Sequence, residues 1–292
     1  LNGLIDHADT LAALAHGDIR PVLVSPEQLR SWTNYRPRHG ARPSCAIHID
    51  TGMNRFGLGV IQAETLAETI REVSPSLLMT HFVSSEYRDD PLNERQIERF
   101  ERATARLPGI ARIMANSSGI FLPQHPFFDL VRPGYALYGG NPFSDQPNPM
   151  RPVVRLTAPI LQLREVEAGE TVGYNAQWTA KRRSRLAVIG VGYADGIPRN
   201  AMATEAQPGG EAIVLGTRCP FAGRVSMDII VIDVTDVTDA ALAPGAEVEL
   251  LNDVITVDDL ASRSKTIGYE ILTSLGRRYH RVYVSQASKP AS

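Results

Sequence analysis

His48-Ile-Asp-Thr-Gly-Met-Asn-Arg-Phe-Gly57 continues a short apolar run, Ala46, Ile47 and Ile49, into a glycine-bracketed turn that delivers Arg55. A buried parallel strand that ends in such a loop places a cation and free backbone where barrel enzymes meet an anion. For one loop alone, a helix-capping or surface-paired arginine is the alternative reading. The pattern recurs, and the recurrence decides the fold.

Upstream and downstream of this stretch, strands and helices alternate. Pro21 to Val24, Ala46 to Asp50, Leu77 to His81, Ile113 to Asn116 and Asp129 to Val131 read as strands. Between them, Pro26 to Trp32 begins a helix and Ile61 to Val73 has helical apolar spacing at Leu66, Ile70 and Val73. A further helix is capped by Asp90 and opened by Pro91, with Ile97 and Phe100 on its buried side. Strand then helix, repeated, means a parallel sheet or barrel. At about 30 residues per unit, the first half holds about five of the eight units that close a barrel. The expectation is therefore a TIM-like α/β barrel, incomplete in this chain, over residues 1–152.

After the Asn and Pro cluster from Asn141 to Pro152 the texture turns to alternating β segments. These are Val153 to Leu163, Leu186 to Val191, Ala212 to Leu215, Val225 to Val234 and Val248 to Leu251, separated by Gly and Pro turns. Thr256 to Ser264 reads as a short helix, with Asp259 completing a capping box. A mostly β C-terminal domain over residues 153–292 follows.

Composition bounds the function classes. The 292 residues are 43% hydrophobic, enough for more than one core, and the net charge of −2 offers no basic face for nucleic acid. Cys45 and Cys219 are too few and too distant for a disulfide framework or a metal site, which favours a cytoplasmic setting. No apolar run approaches the roughly 18 residues of a membrane span, and Leu1 opens no signal-peptide pattern. Leu1-Asn2-Gly3-Leu4 reads instead like a strand end already entering its loop.

The other strand ends carry ligand-facing residues too. Met79-Thr80-His81 ends in a histidine, Asn116-Ser117-Ser118-Gly119 offers hydroxyls and amides, and Arg132 stands beside Pro133 and Gly134. Asn-Ser-Ser-Gly opening a helix can nest a phosphate, although ordinary capping is its commoner use. Four such ends in order point to one site.

Taken with the β half, the chain resembles the alanine racemases, pyridoxal 5′-phosphate enzymes built from a barrel and a β domain. The matching segments are Asp50 to Arg55, Thr80-His81-Phe82, Ala115-Asn116-Ser117, Val131 to Gly134, Val172-Gly173-Tyr174, Gly190 to Gly196, Gly223 to Asp228 and Ile267 to Glu270. The resemblance implies two bases flanking a cofactor-stabilised carbanion, one of them Tyr174 acting from a partner subunit. His81 and Arg132 would favour its phenolate against a reference pKa of about 10. Arg132 would also donate to the pyridine nitrogen and leave it unprotonated, because guanidinium keeps its proton. Phosphate would meet Ser117, the backbone amides of Gly134 and Tyr135 and the hydroxyl of Tyr269, with Asn116 also among the cofactor-binding residues. Substrate carboxylate would meet Arg55 and the Met227 amide, and Tyr193, Arg199, Arg224 and Glu86 would line a narrow entrance. Composite sites of this kind imply a homodimer, with D-alanine supply to peptidoglycan as the role.

The sequence departs from the family pattern twice. His48 stands seven residues before Arg55, where the family often carries a modified lysine. The lysine that bears the cofactor belongs to the first barrel strand, yet the lysines here are Lys181, Lys265 and Lys289, none in the matching motif and all reading as surface residues. Absent N-terminal barrel units would account for both the missing lysine and the missing strands. Two other readings stay open at this point: another racemase or a decarboxylase on the same scaffold, and a non-catalytic truncated fragment that only dimerises.

Overall fold

The computed structural model describes residues 7–16, 19–36 and 43–284. The readings of Leu1 to Leu4 and of Lys289 fall outside these residues. The described residues form two compact units, one within Leu1–Ala136 and Asn141–Asn148, the other within Leu137–Gly140 and Pro149–Ser292.

The first unit runs α1 (Ala8–His16), β1 (Val22–Leu23), α2 (Pro26–Asn34), β2 (Ala46–Asp50), β3 (Leu58–Gly59), α3 (Val60–Thr65), α4 (Ala67–Val73), β4 (Leu77–Met79), α5 (Pro91–Thr104), β5 (Ala111–Asn116) and β6 (Leu130–Arg132). Its sheet has the order β1-β2-β4-β5-β6, with β3 against β2, and every pairing is parallel. Ile47, Ile49, Leu78 and Met114 form one core with Leu29, Trp32, Ile70 and Phe100 from the helices. The two-residue period of a strand turns Ala46, His48, Met79 and Ile113 to the opposite face, where they are also buried. Chemistry-bearing residues follow directly from these strands at their carboxyl ends.

Ser25 caps α2 through the Gln28 N–H, and Asp90 caps α5 through Leu92, each followed by proline at the first helical position. The single helix expected over Ile61 to Val73 is instead two, broken at Leu66 (φ −91°, ψ 13°). Just before the break the Thr65 hydroxyl donates to the Ile61 carbonyl, a local bond that bends helices.

The second unit contains β7 (Leu156–Val166), β8 (Thr171–Val172), β9 (Trp178–Thr179), β10 (Ser184–Ile189), β11 (Glu211–Val214), β12 (Thr217–Pro220), β13 (Ile230–Asp233), β14 (Glu247–Leu251), α6 (Val257–Arg263) and α7 (Gly268–Ser274). Six strands make one antiparallel sheet in the order β12-β11-β14-β7-β10-β13, and β8 pairs β9 in a separate hairpin. Thr256 and Asp259 form the expected capping box on α6. The β segment expected from Val225 to Val234 narrows to β13, because residues before Ile230 turn back and close on the Gly190 loop. No helix among the described residues is long and apolar enough to cross a membrane.

Candidate active site

The loop after β2 is organised by its own carboxylate. Asp50 Oδ1 accepts the N–H groups of Gly52 (2.9 Å), Met53 (2.9 Å) and Asn54 (3.2 Å). The amides that the sequence seemed to offer to an outside anion are therefore taken internally. Gly57 (φ +120°) closes the loop, since a Cβ there would lie 2.6 Å from the Asp50 nitrogen. What remains outward is Arg55, exposed and without a hydrogen bond or ion pair to any described residue.

His48, on β2, is 6% exposed and its Nδ1 is buried without a partner. Burial and the nearby Arg132 and Arg55 charges outweigh Asp50 and lower its pKa to about 4. It is a neutral ring, not a counter-charge, and no hydrogen bond joins it to Arg55.

Arg132 ends β6 and gathers the neighbouring strand ends. Its Nη2 donates to Thr80 O (2.8 Å), Met114 O (3.1 Å) and His81 Nδ1 (3.2 Å), while its Nε is buried without a partner. Guanidinium has only donors, so the His81 Nδ1 accepts and the neutral ring carries its hydrogen on Nε2. Burial first, then Arg132, Arg55 and His48, lower the His81 pKa to about 4.

At the end of β5, Asn116 Oδ1 accepts from Gly119 N (2.9 Å) and Ser85 Oγ (3.0 Å). Asn-Ser-Ser-Gly opens only a 3-10 turn, Gly119–Phe121, rather than the expected helix, because Asn116 folds back on the turn's amide. The argument from a helix dipole falls away here. Ser117 is buried, and its Oγ accepts from Gly134 N (2.9 Å) and Ala136 N (3.2 Å). Two amides thus converge on one oxygen. Tyr135 lies buried between them, and Glu86 is half-buried nearby in sequence to Ser85.

The second unit carries the remaining expected residues. Tyr174 sits at the tip of the β8–β9 hairpin, 69% exposed, in a turn that holds Asn175 (φ +63°) and Ala176 (φ +48°) in left-handed conformations. Arg224 Nε donates to Gln177 Oε1 (2.8 Å) in the same turn. The Gly190 and Gly223 loops are joined by Tyr193 N to Ser226 O (3.0 Å) and Ala194 N to Met227 O (3.0 Å). Met227 is exposed, and its N–H donates to no described residue. Tyr193, Arg199 and Tyr269 are exposed.

Asp195, inside the Gly190 to Gly196 segment, carries structure together with Arg278, and neither Arg278 nor Gln96 was signalled by the sequence. Buried Asp195 accepts from Gly192 N (2.9 Å), and Arg278 bridges it (3.2 Å) to Asp228 (2.7 Å). The Asp-Gly motif signalled Asp195, but nothing local pointed to Arg278. A cavity of about 440 Å³ in this unit, bounded by Trp178, Lys181, Phe221 and Arg263, contains none of the expected site residues. Lys181 and Lys265 are exposed, as read from the sequence.

Two family models account for the pattern: the alanine racemase N-terminal domain matches residues 1–142 and the alanine racemase C-terminal domain residues 153–283. The chain belongs to the alanine racemase family. An alanine racemase of Methylobacterium nodulans is 48% identical over 274 residues, 93% of this chain and 73% of that protein. Two from Agrobacterium fabrum, one called biosynthetic and one catabolic, are 43% and 40% identical, covering 91% and 100% of this chain and 70% and 74% of theirs. The crystal structure of alanine racemase from Bartonella henselae with covalently bound pyridoxal phosphate superposes with a TM-score of 0.86 at 34% identity, over 97% of this chain and 78% of that one. As an alanine racemase family member, the chain has the family's barrel-type unit followed by its mostly β unit, and the family's cofactor is pyridoxal 5′-phosphate.

Proposed function

We propose that this chain interconverts L-alanine and D-alanine with pyridoxal 5′-phosphate, as part of a homodimer with composite sites. The observation that carries the reading is Arg132, a cation fixed by three acceptors with its buried Nε still unpaired. An unpaired buried donor requires an acceptor, and a ring nitrogen fits it. Ser117 Oγ, fixed by the amides of Gly134 and Ala136, still has its own hydroxyl hydrogen to donate, which fits a phosphate oxygen. The residues present therefore suit the cofactor's two ends.

Bound there, the cofactor supplies an electron-withdrawing ring that makes the substrate's α-proton acidic. Arg132 keeps its own proton, so the nitrogen it meets stays unprotonated and the electron sink is weaker. That favours return of the proton to carbon over side reactions. Ser117, Gly134, Tyr135 and Tyr269 hold phosphate, and Asn116 fixes the turn beside it. Arg55 and the Met227 N–H hold substrate carboxylate.

Tyr174 moves the proton on one face. His81, neutral and carrying its hydrogen on Nε2, is a donor that steadies the phenolate. The exposure of Tyr174 and Met227 supports their service to a partner's site. The second base of the family is a barrel lysine, and no lysine precedes Lys181 in this sequence. No residue of this chain is assigned to that role. Tyr193, Arg199, Arg224 and Glu86 limit substrate size at the entrance. The setting is cytoplasmic and the product is D-alanine for peptidoglycan.

The test is equilibrium dialysis against pyridoxal 5′-phosphate, then borohydride reduction with peptide mass mapping, then D-alanine formation from L-alanine. Binding that weakens about tenfold in Ser117→Ala, the scale of one lost hydrogen bond to a charged group, together with alanine turnover, supports the reading. Equal retention by both proteins, or faster turnover of serine than of alanine, overturns it.

A further inference from the structure

We infer that Gln96, on α5, is a positioning residue for His81, fixing the loop that aims its ring at Arg132. The inference rests on the proposed role of the Arg132 and His81 pair. Gln96 is fully buried in a helix whose neighbouring turns present charged residues to solvent. Burying an amide is unfavourable unless its hydrogen bonds are met, and here all are. Its Oε1 accepts from Val83 N (2.9 Å), and its Nε2 donates to His81 O (3.0 Å) and to Thr51 Oγ1 (3.0 Å). A backbone N–H can only donate and a carbonyl can only accept, so the amide has one orientation.

Those bonds grip both sides of the His81-Phe82-Val83 segment. The third continues the grip, because Thr51 Oγ1 lies 2.8 Å from Thr80 Oγ1, and Thr80 O accepts from Arg132. One side chain thereby ties the ends of β2 and β4 to the residue before His81, to His81 itself and to the second residue after it. Arg99, one turn further along α5, reinforces the attachment by donating to Thr51 O (3.0 Å). The charged and titratable groups acting on the His81 ring are Arg132 on β6, Arg55 after β2 and His48 on β2. Gln96 touches none of them; it acts through backbone.

The experiment is imidazole nitrogen NMR on the full chain without added cofactor, so its failure is distinct from a failure to bind pyridoxal 5′-phosphate. In the wild type, His81 holds the Nε2–H tautomer and resists protonation down to about pH 4. Gln96→Met, close in volume but unable to hydrogen-bond, is expected to mix the tautomers and raise the His81 midpoint by about one unit or more, while far-ultraviolet circular dichroism is unchanged. Thr51→Val, which removes only the shared hydroxyl, gives a smaller change in the same direction. An unchanged His81 signal in folded Gln96→Met overturns the inference. If Gln96→Met does not fold, an unchanged His81 in Thr51→Val overturns it.

Discussion

Arg132 Nη2 meets His81 Nδ1 at 3.2 Å, and that contact fixes which ring nitrogen carries hydrogen. It also places a permanent cation against a ring that burial already keeps neutral. Together with His48, this makes two histidines that the folded state holds uncharged.

Stability should therefore depend on pH below neutrality. Both folded pKa values, about 4, lie below the ordinary 6.5, so the unfolded chain takes up these protons first. The contribution is complete above about pH 6.5 and drains as pH falls towards 4, by at most about 1.4 kcal/mol per pH unit for each ring before solvent screening. Urea unfolding at pH 7, 6 and 5 measures it. The His48→Gln, His81→Gln double variant should show a flatter profile; an identical slope would contradict the assignment.

Arg132→Met should strand the Thr80 and Met114 carbonyls and cost about 2–4 kcal/mol in urea unfolding. The His81 midpoint should rise as the cation leaves. In protein loaded with cofactor, Arg132→Glu should increase pyruvate release relative to D-alanine, and unchanged partitioning counts against its contact with the ring nitrogen.

Asp50→Ala removes the acceptor for three consecutive amides. The expected loss is about 2–3 kcal/mol, with faster amide exchange at Gly52 and Met53. Asp50→Asn, which retains an acceptor oxygen, should recover much of it. Equal stability of Asp50→Ala and the wild type would show that water serves these amides as well.

Gly57→Ala tests the same loop from its other end. A positive φ and a Cβ 2.6 Å from the Asp50 nitrogen combine strain with overlap. A fall of roughly 5–10 °C in melting temperature is expected. A change under one degree would mean that the loop has room to shift.

Much of this architecture was legible because strands and helices write periodic signals. Ala46 to Asp50 alternates as a strand, Asp90-Pro91 and Thr256 with Asp259 mark helix starts, and the elements lie where those signals put them. The split at Leu66 was not legible, since Thr65 bends the helix without disturbing its apolar spacing. At Asp50 and Asn116 the sequence did not decide between capping and ligand contact for a related reason: short polar side chains satisfy nearby amides at positions where an outside ligand is equally compatible with the sequence. Gln96 and Arg278 left no local trace, because the partners of Gln96 lie 13 to 45 residues away, at Val83, His81 and Thr51, and Asp228 lies 50 residues from Arg278.

Arg278→Met should loosen the paired Gly190 and Gly223 loops, leaving Asp195 buried without its cation. Amide exchange at Tyr193 and Ala194 is expected to quicken about tenfold, the scale of one lost charged hydrogen bond. Unaltered exchange would show that the backbone bonds suffice.

Those two loops are joined through backbone bonds at Tyr193 and at Met227. Gly192 admits no side chain beside the Met227 carbonyl. In the proposed site this ties the entrance at Tyr193 to the carboxylate contact at Met227, so a backbone shift in either loop reaches both. Libraries that vary the two loops jointly should yield new specificities that single-site scans miss.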